Sequence, residues 1–141
     1  MNDLLENKSK RPMWLTVVAL VAILFGIATV KEGGTVLFTE TGKQSAGNYV
    51  PFVLWFNFIA GFAYIMAGIA MFKLKSCSRR LSAVIAISTT IVFILLGIHI
   101  FKDGLYELRT VMAMTIRSTL WISIAIVLLR AKALKPVSCH C

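Results

Sequence analysis

The sequence predicts an all-α membrane domain, a bundle of four transmembrane helices with both termini in the cytoplasm. Three observations predict it. Four apolar stretches each approach the roughly 20 residues that cross a hydrocarbon core. Of the 141 residues, 58% are apolar and only 15% charged, against about a quarter charged in soluble domains. The 15 Lys and Arg residues gather between the apolar runs, with one exception. Mean hydropathy is +0.82. The spans leave no room for a separate soluble module, so a single domain over residues 1–141 is expected. A net charge of +9 would suggest nucleic acid in a soluble protein. Here the cations flank apolar segments, which the positive-inside pattern explains, and no nucleic-acid partner is expected.

The spans are expected at Met13–Val30, Pro51–Phe72, Leu81–Phe101 and Val111–Leu129. Pro12 and Pro51 sit where a first helical turn tolerates a missing N–H. The first span follows Lys8, Lys10 and Arg11, as a signal peptide would. Its run is longer than a usual signal core, and no A-x-A-like site precedes Lys31, so a retained helix is expected. The connections are a loop of about 20 residues, a short basic turn from Lys73 to Arg80, and a charged turn from Lys102 to Arg109. The tails and the basic turn carry ten Lys and Arg residues, and the other two loops carry four. The excess marks the cytoplasmic side.

Helices in lipid associate through close packing and polar contacts, because lipid is as apolar as leucine. Ala19, Ala22, Gly26 and Thr29 repeat at helical spacing in span one. Asn57, Ala60, Ala63, Ala67 and Ala70 do so in span two, with Gly61 and Gly68 on a neighbouring strip. These faces predict close packing of spans one and two. In span four, Thr115, Thr119 and Ser123 share one face, and Thr110, Arg117 and Trp121 the opposite one. A charge facing lipid is costly, so the Arg117 face is expected inward, and the hydroxyls are expected to bond their own backbone.

Arg117 is the exception among the cations, roughly 10 Å below the outer boundary at 1.5 Å per residue. A charge at that depth needs a partner or water. Glu107 and Glu32 are the expected partners, with Asp103 behind them. His99, at the outer end of span three, can titrate, ligate a metal or bond Glu107, although a lone histidine at a helix end is more often an interfacial residue with its bonds made. Asn57 lies at similar depth on the span-two seam, where asparagine also serves as packing glue. Tyr49, Phe52, Trp55 and Tyr106 fit an outer aromatic belt. Arg117, Glu107, His99, Asn57 and Glu32 are thus expected to form either a polar pocket for a small anionic or polar solute, or a closed network that fixes the helices. No hydrolytic triad, nucleotide loop or paired-carboxylate site is evident.

Cys77 in the basic turn and Cys139, His140 and Cys141 at the C-terminus form a second constellation. On the cytoplasmic side these thiols are expected reduced, without disulfides. Thiolate and imidazole favour Cu(I) or Zn(II), although the spacing matches no common structural zinc site.

The stretch Gly47–Tyr64 resembles small uncharacterised four-helix proteins of the bacterial inner membrane. So does the later set of His99, Tyr106, Glu107, Thr110, Ala113, Met114 and Arg117. The resemblance covers about half the chain and implies a bacterial inner-membrane location and this topology, but no activity. Mercury-transport membrane proteins carry a cysteine pair in the first helix, which Met13–Val30 lacks. Three functions follow from the residues: solute binding or transport through the Arg117 pocket; an accessory or structural subunit of a homo-oligomer or larger membrane complex; and a metal- or redox-linked role. Enzymatic activity ranks below all three. Transport through so short a bundle would call for a homo-oligomer.

Overall fold

The computed structural model describes residues 12–73 and 77–131. Among them the chain is all-α, with no strand. Its helices are α1 (Met13–Phe38), α2 (Glu40–Ala46), α3 (Pro51–Phe72), α4 (Cys77–Phe101) and α5 (Leu108–Arg130). All but α2 are long and apolar enough to cross a membrane. Their outward faces carry exposed Leu24, Ile59, Met66, Ile87, Ile94 and Leu129. In water such a surface would drive aggregation. Against lipid it is the expected one.

The second and third expected spans begin or end where α3 and α4 do to within four residues, and Pro51 occupies the first turn of α3. The first expected span stops eight residues too early. Lys31, Glu32, Gly33 and Gly34 read as a loop, yet α1 runs through them to Phe38. The reason lies in the seam. Leu15, Ala19, Ala22, Gly26, Thr29 and Gly33 are all buried, at unbroken 4-3-4-3-4 spacing. Gly33 packs on Phe58, whose Cβ lies 3.2 Å from where a Gly33 Cβ would stand. Lys31 and Glu32 fall on the exposed side of that turn. At 26 residues and 1.5 Å per residue, α1 is about 39 Å long, several ångströms more than a hydrocarbon core.

The rest of the expected loop is also ordered. Extended Thr39 breaks the helix, and α2 then packs back against α1. Gly42 is buried with its Cα against the Thr35 carbonyl, a place no side chain fits. Lys43 donates to Glu40 at 2.9 Å, which raises the Lys43 pKa. Both side chains are exposed, so the pair contributes little to stability. The basic turn likewise shortens, because α4 begins at Cys77.

Packing divides the helices into two close pairs, α1 with α3 and α4 with α5. The first pair was expected, and Ala60 and Ala67 of the expected seam are buried, but the closest backbone approach falls on the neighbouring glycine strip. Gly61 and Gly68 are buried, whereas Ala63 and Ala70 are only half-buried. A Cβ on Gly26 would stand 2.8 Å from the Gly61 carbonyl oxygen, and one on Gly68 2.9 Å from the Ala19 carbonyl oxygen. Backbone therefore meets backbone along this seam, which maximises dispersion contact where no hydrophobic drive exists.

The pairs meet along α3 and α4, while α1 and α5 have little backbone contact. Large side chains fill the wider spacing. Trp121 of α5 and Tyr64 of α3 are fully buried, with ring centroids 4.7 Å apart. Phe25 of α1 stacks on the other side of Tyr64 at 6.0 Å. The Tyr64 hydroxyl leans toward Thr89 without making a hydrogen bond of good geometry, and Thr89 spends its own proton on the Ile85 carbonyl at 2.7 Å. A buried hydroxyl without a partner stabilises nothing. Tyr64→Phe should therefore leave the detergent melting temperature unchanged or raise stability by up to ~1 kcal/mol. A fall of several degrees would reveal a bond that the geometry does not show.

Candidate functional site

One cavity of about 400 Å³ opens at the end of the bundle where α2 lies. Its size is within the range of small-molecule sites. The last turns of α1, the underside of α2, the first turns of α3 and the first three turns of α5 enclose it. Apolar walls come from Val36, Val50, Val53, Leu54 and Ala113, and hydroxyls from Thr29, Thr35, Thr41, Ser45 and Thr110. Charge comes from Lys31, Arg109 and Arg117 on one side of the balance and Glu32 and Glu107 on the other.

Of the residues the sequence singled out, Arg117, Glu107, Asn57 and Glu32 line this one cavity. His99 does not. Its α4 helix ends in a six-residue loop motif in which Gly104 N–H bonds the His99 carbonyl and Asp103 N–H bonds that of Ile100. Asp103 takes the left-handed conformation there, at φ 59°. The imidazole folds over Gly104, with Nε2 3.3 Å from the Leu105 carbonyl and an edge contact to Phe52. It makes no bond to Glu107.

Arg117 projects inward, as expected, and is only 6% exposed. Thr115, Thr119 and Ser123 on the opposite face each bond the carbonyl four residues back. The expected carboxylate partners of Arg117 are absent from its shell. Nη2 donates to Thr29 Oγ1 at 3.3 Å, and Nη1 reaches Met114 Sδ at 3.6 Å, a weak acceptor. The guanidinium sits over the Phe25 ring at 5.6 Å, an attraction worth about 0.5–2 kcal/mol. Nε is buried without any acceptor. Among the described residues the ion pair within 4.0 Å is Lys43–Glu40, so Arg117, Glu32 and Glu107 stand outside any. A buried cation so lightly partnered is unusual, because burying unpaired charge is expensive.

Glu107 is drawn elsewhere by the backbone. It precedes α5 but leaves its own helix uncapped. Instead Oε1 accepts the Asn48 N–H at 3.1 Å. That reach depends on Gly47, whose φ of 62° and ψ of −131° suit glycine alone and whose missing Cβ would lie 2.5 Å from Glu107 Oε1. Gly47→Ala should cost about 1–3 kcal/mol, the usual cost of a non-glycine residue in such a conformation. It should also loosen the cavity rim, read as a lower melting temperature and faster amide exchange at Asn48 and Tyr49. Asn57 is half-buried in the opposite wall, and its side-chain oxygen has no donor.

The sequence missed Thr29 as the hydrogen-bond partner of Arg117, and Phe25 beneath the guanidinium. Thr29 stood out only as the last small residue of a seam, and Phe25 carried no signal at all. Lys31 was counted as a loop charge and Tyr49 as belt, yet both line the cavity. The remaining belt residues Phe52, Trp55 and Tyr106 are exposed.

Comparison of the chain with protein families, with characterised proteins and with solved structures finds no match. Function therefore rests on the cavity's own chemistry.

The cysteine constellation fares differently. Cys139, His140 and Cys141 lie outside the described residues. Cys77 is disulfide-bonded, where the sequence led us to expect a reduced thiol. A sulfur held in a disulfide is not a thiolate ligand, so Cys77 does not fit a Cu(I) or Zn(II) site in this state. Among the described residues no three His, Cys, Asp or Glu side chains converge as a metal site would require.

Proposed function

We propose that the chain is an integral membrane protein that binds a small polar or anionic solute in this cavity, with Arg117 as the anchor. The supporting observation is the buried guanidinium: 6% exposed, on the cavity wall, with no carboxylate within ion-pairing distance and one N–H without an acceptor. An anionic oxygen placed there would complete its shell with short, charge-assisted bonds. The apolar walls would exclude water and strengthen that attraction.

The distribution of Lys and Arg supports a topology with both termini inside. In that orientation the cavity opens on the outer side. Resemblance to small bacterial inner-membrane proteins supports that membrane as its location. Transport through a bundle this narrow would need further copies of the chain or a larger membrane complex around it, with the exposed apolar faces as the contact surface.

A second reading has an observation of its own. Arg117 reaches Thr29 across the sparsely packed α1–α5 seam, so it also serves to join helices. Under that reading the protein is an accessory subunit, and the cavity is a by-product of its loops. Native mass spectrometry of the detergent-purified wild type beside Arg117→Leu separates the two. A small molecule carried by the wild type and lost from a folded variant supports the binding reading. Apo mass in both, with the variant less stable, supports the structural one.

A further inference from the structure

The cavity lining carries a buried donor without an acceptor, Arg117 Nε, and a buried acceptor without a donor, Asn57 Oδ1. Arg117 supplies a cation with no carboxylate within ion-pairing distance. Asn57 supplies a buried carbonyl oxygen without a donor. Glu32 supplies a carboxylate outside any ion pair on the same cavity wall. Glu32 stands three residues beyond Thr29, the residue that Arg117 bonds, so it lies one helical turn away, about 4.5 Å along the axis. A simple anion would complete Arg117, leave the buried Asn57 oxygen unmet and place its charge in the same cavity as the exposed Glu32 carboxylate. A simple cation would do the reverse. Val36, Val50, Val53 and Leu54 supply an apolar stretch of the lining, beside its hydroxyls and the charges of Lys31, Arg109 and Glu107.

We propose that the ligand is a small zwitterion of amino-acid type, its carboxylate on Arg117 and Thr29, its ammonium toward Glu32 and Asn57, and an apolar side chain against the valines. This rests on the reading of Arg117 as an anion anchor and adds the opposite pole. The two poles of an α-amino acid are separated by two bonds about one carbon, which matches sites one helical turn apart. The volume of about 400 Å³ admits a branched side chain without requiring one. Such a site also discriminates, because an analogue lacking the carboxylate strands the buried guanidinium and one lacking the ammonium strands Asn57 Oδ1.

The test uses three probes of one shape: leucine, 4-methylpentanoate, which lacks the ammonium, and 3-methylbutylamine, which lacks the carboxylate. Each is titrated calorimetrically into the full-length protein in detergent. Leucine should bind at least tenfold tighter than either analogue. Glu32→Gln should shrink its advantage over 4-methylpentanoate to less than threefold while preserving the affinity for 4-methylpentanoate. Asn57→Ala should shrink the same ratio in the same direction. Arg117→Leu should lose both acids. Equal affinity for leucine and 4-methylpentanoate in the wild type would overturn the zwitterion and leave the anion site standing. Binding of 3-methylbutylamine as tight as leucine, and indifferent to Arg117→Leu, would overturn both. So would the absence of binding by any of the three.

Discussion

Arg117→Leu is expected to weaken solute binding by about 10- to 150-fold while leaving the bundle as stable as before or more so. The first half follows from the charge-assisted bonds a guanidinium makes to an anionic oxygen, about 1.5–3 kcal/mol. The second half follows from what the native protein gives up to keep the charge there. Arg117 is buried, no carboxylate lies within ion-pairing distance of it, and its direct contacts are one threonine, one thioether and one aromatic face. Replacing a buried charge by a hydrophobic residue of similar volume is often neutral, or stabilising by about 1–4 kcal/mol. Affinity measured by calorimetry and stability measured by melting in detergent should thus move apart. A variant that loses both together would make Arg117 a structural tie.

The largest effect on folding is expected at the glycine seam. Gly26→Leu or Gly61→Leu should leave little folded protein, judged by a monodisperse elution profile and a cooperative melt. At Gly26 the first atom of any side chain would stand 2.7 Å from Ile65 Cγ1, 2.8 Å from the Gly61 oxygen and 3.0 Å from the Ile65 nitrogen. Two of those three are backbone and cannot rotate away. Even Gly26→Ala should cost about 1–3 kcal/mol, as overpacking does, and a leucine must push α1 off α3 altogether. Gly97→Leu is the control, because a Cβ there meets nothing within 4 Å. It should behave as wild type. If all three leucine variants folded equally well, the seam would not be what holds α1 to α3.

Why the helices were legible and the cavity was not is itself physical. Span existence follows from hydropathy, which is a property of each segment alone, so α3 and α4 could be placed from composition. The end of α1 depends on a neighbour. Gly33 continues the helix because Phe58 lies beside it, and no property of residues 31–38 taken alone announces that. The same holds for α2, whose approach rests on one glycine, Gly42, against the Thr35 carbonyl. At the site, depth alone brought Arg117, Asn57, Glu32 and Glu107 into one group, because side chains at similar depth in a narrow bundle are neighbours. Depth also admitted His99, which does not line the cavity. The direction in which a residue faces depends on helix rotation, and the turn at Gly104 takes the imidazole away from the cavity. Partner choice was the least legible. Charge pairing suggested Glu107 for Arg117, but a backbone N–H at Asn48 holds that carboxylate.

The division into two close helix pairs gives the cavity a mechanical character. Its walls belong to different bodies: α1, α2 and α3 on one side, α5 on the other. The bodies are joined along α3 and α4, and elsewhere they meet through side chains, among them Trp121 on Tyr64, Arg117 over Phe25 and the Arg117–Thr29 bond. That is the layout of two leaves with a broad common edge and a cavity between their free ends. An occupant that takes over the Arg117 guanidinium competes with Thr29 for the same donor. Filling the cavity would therefore alter one of the contacts by which the two leaves hold each other.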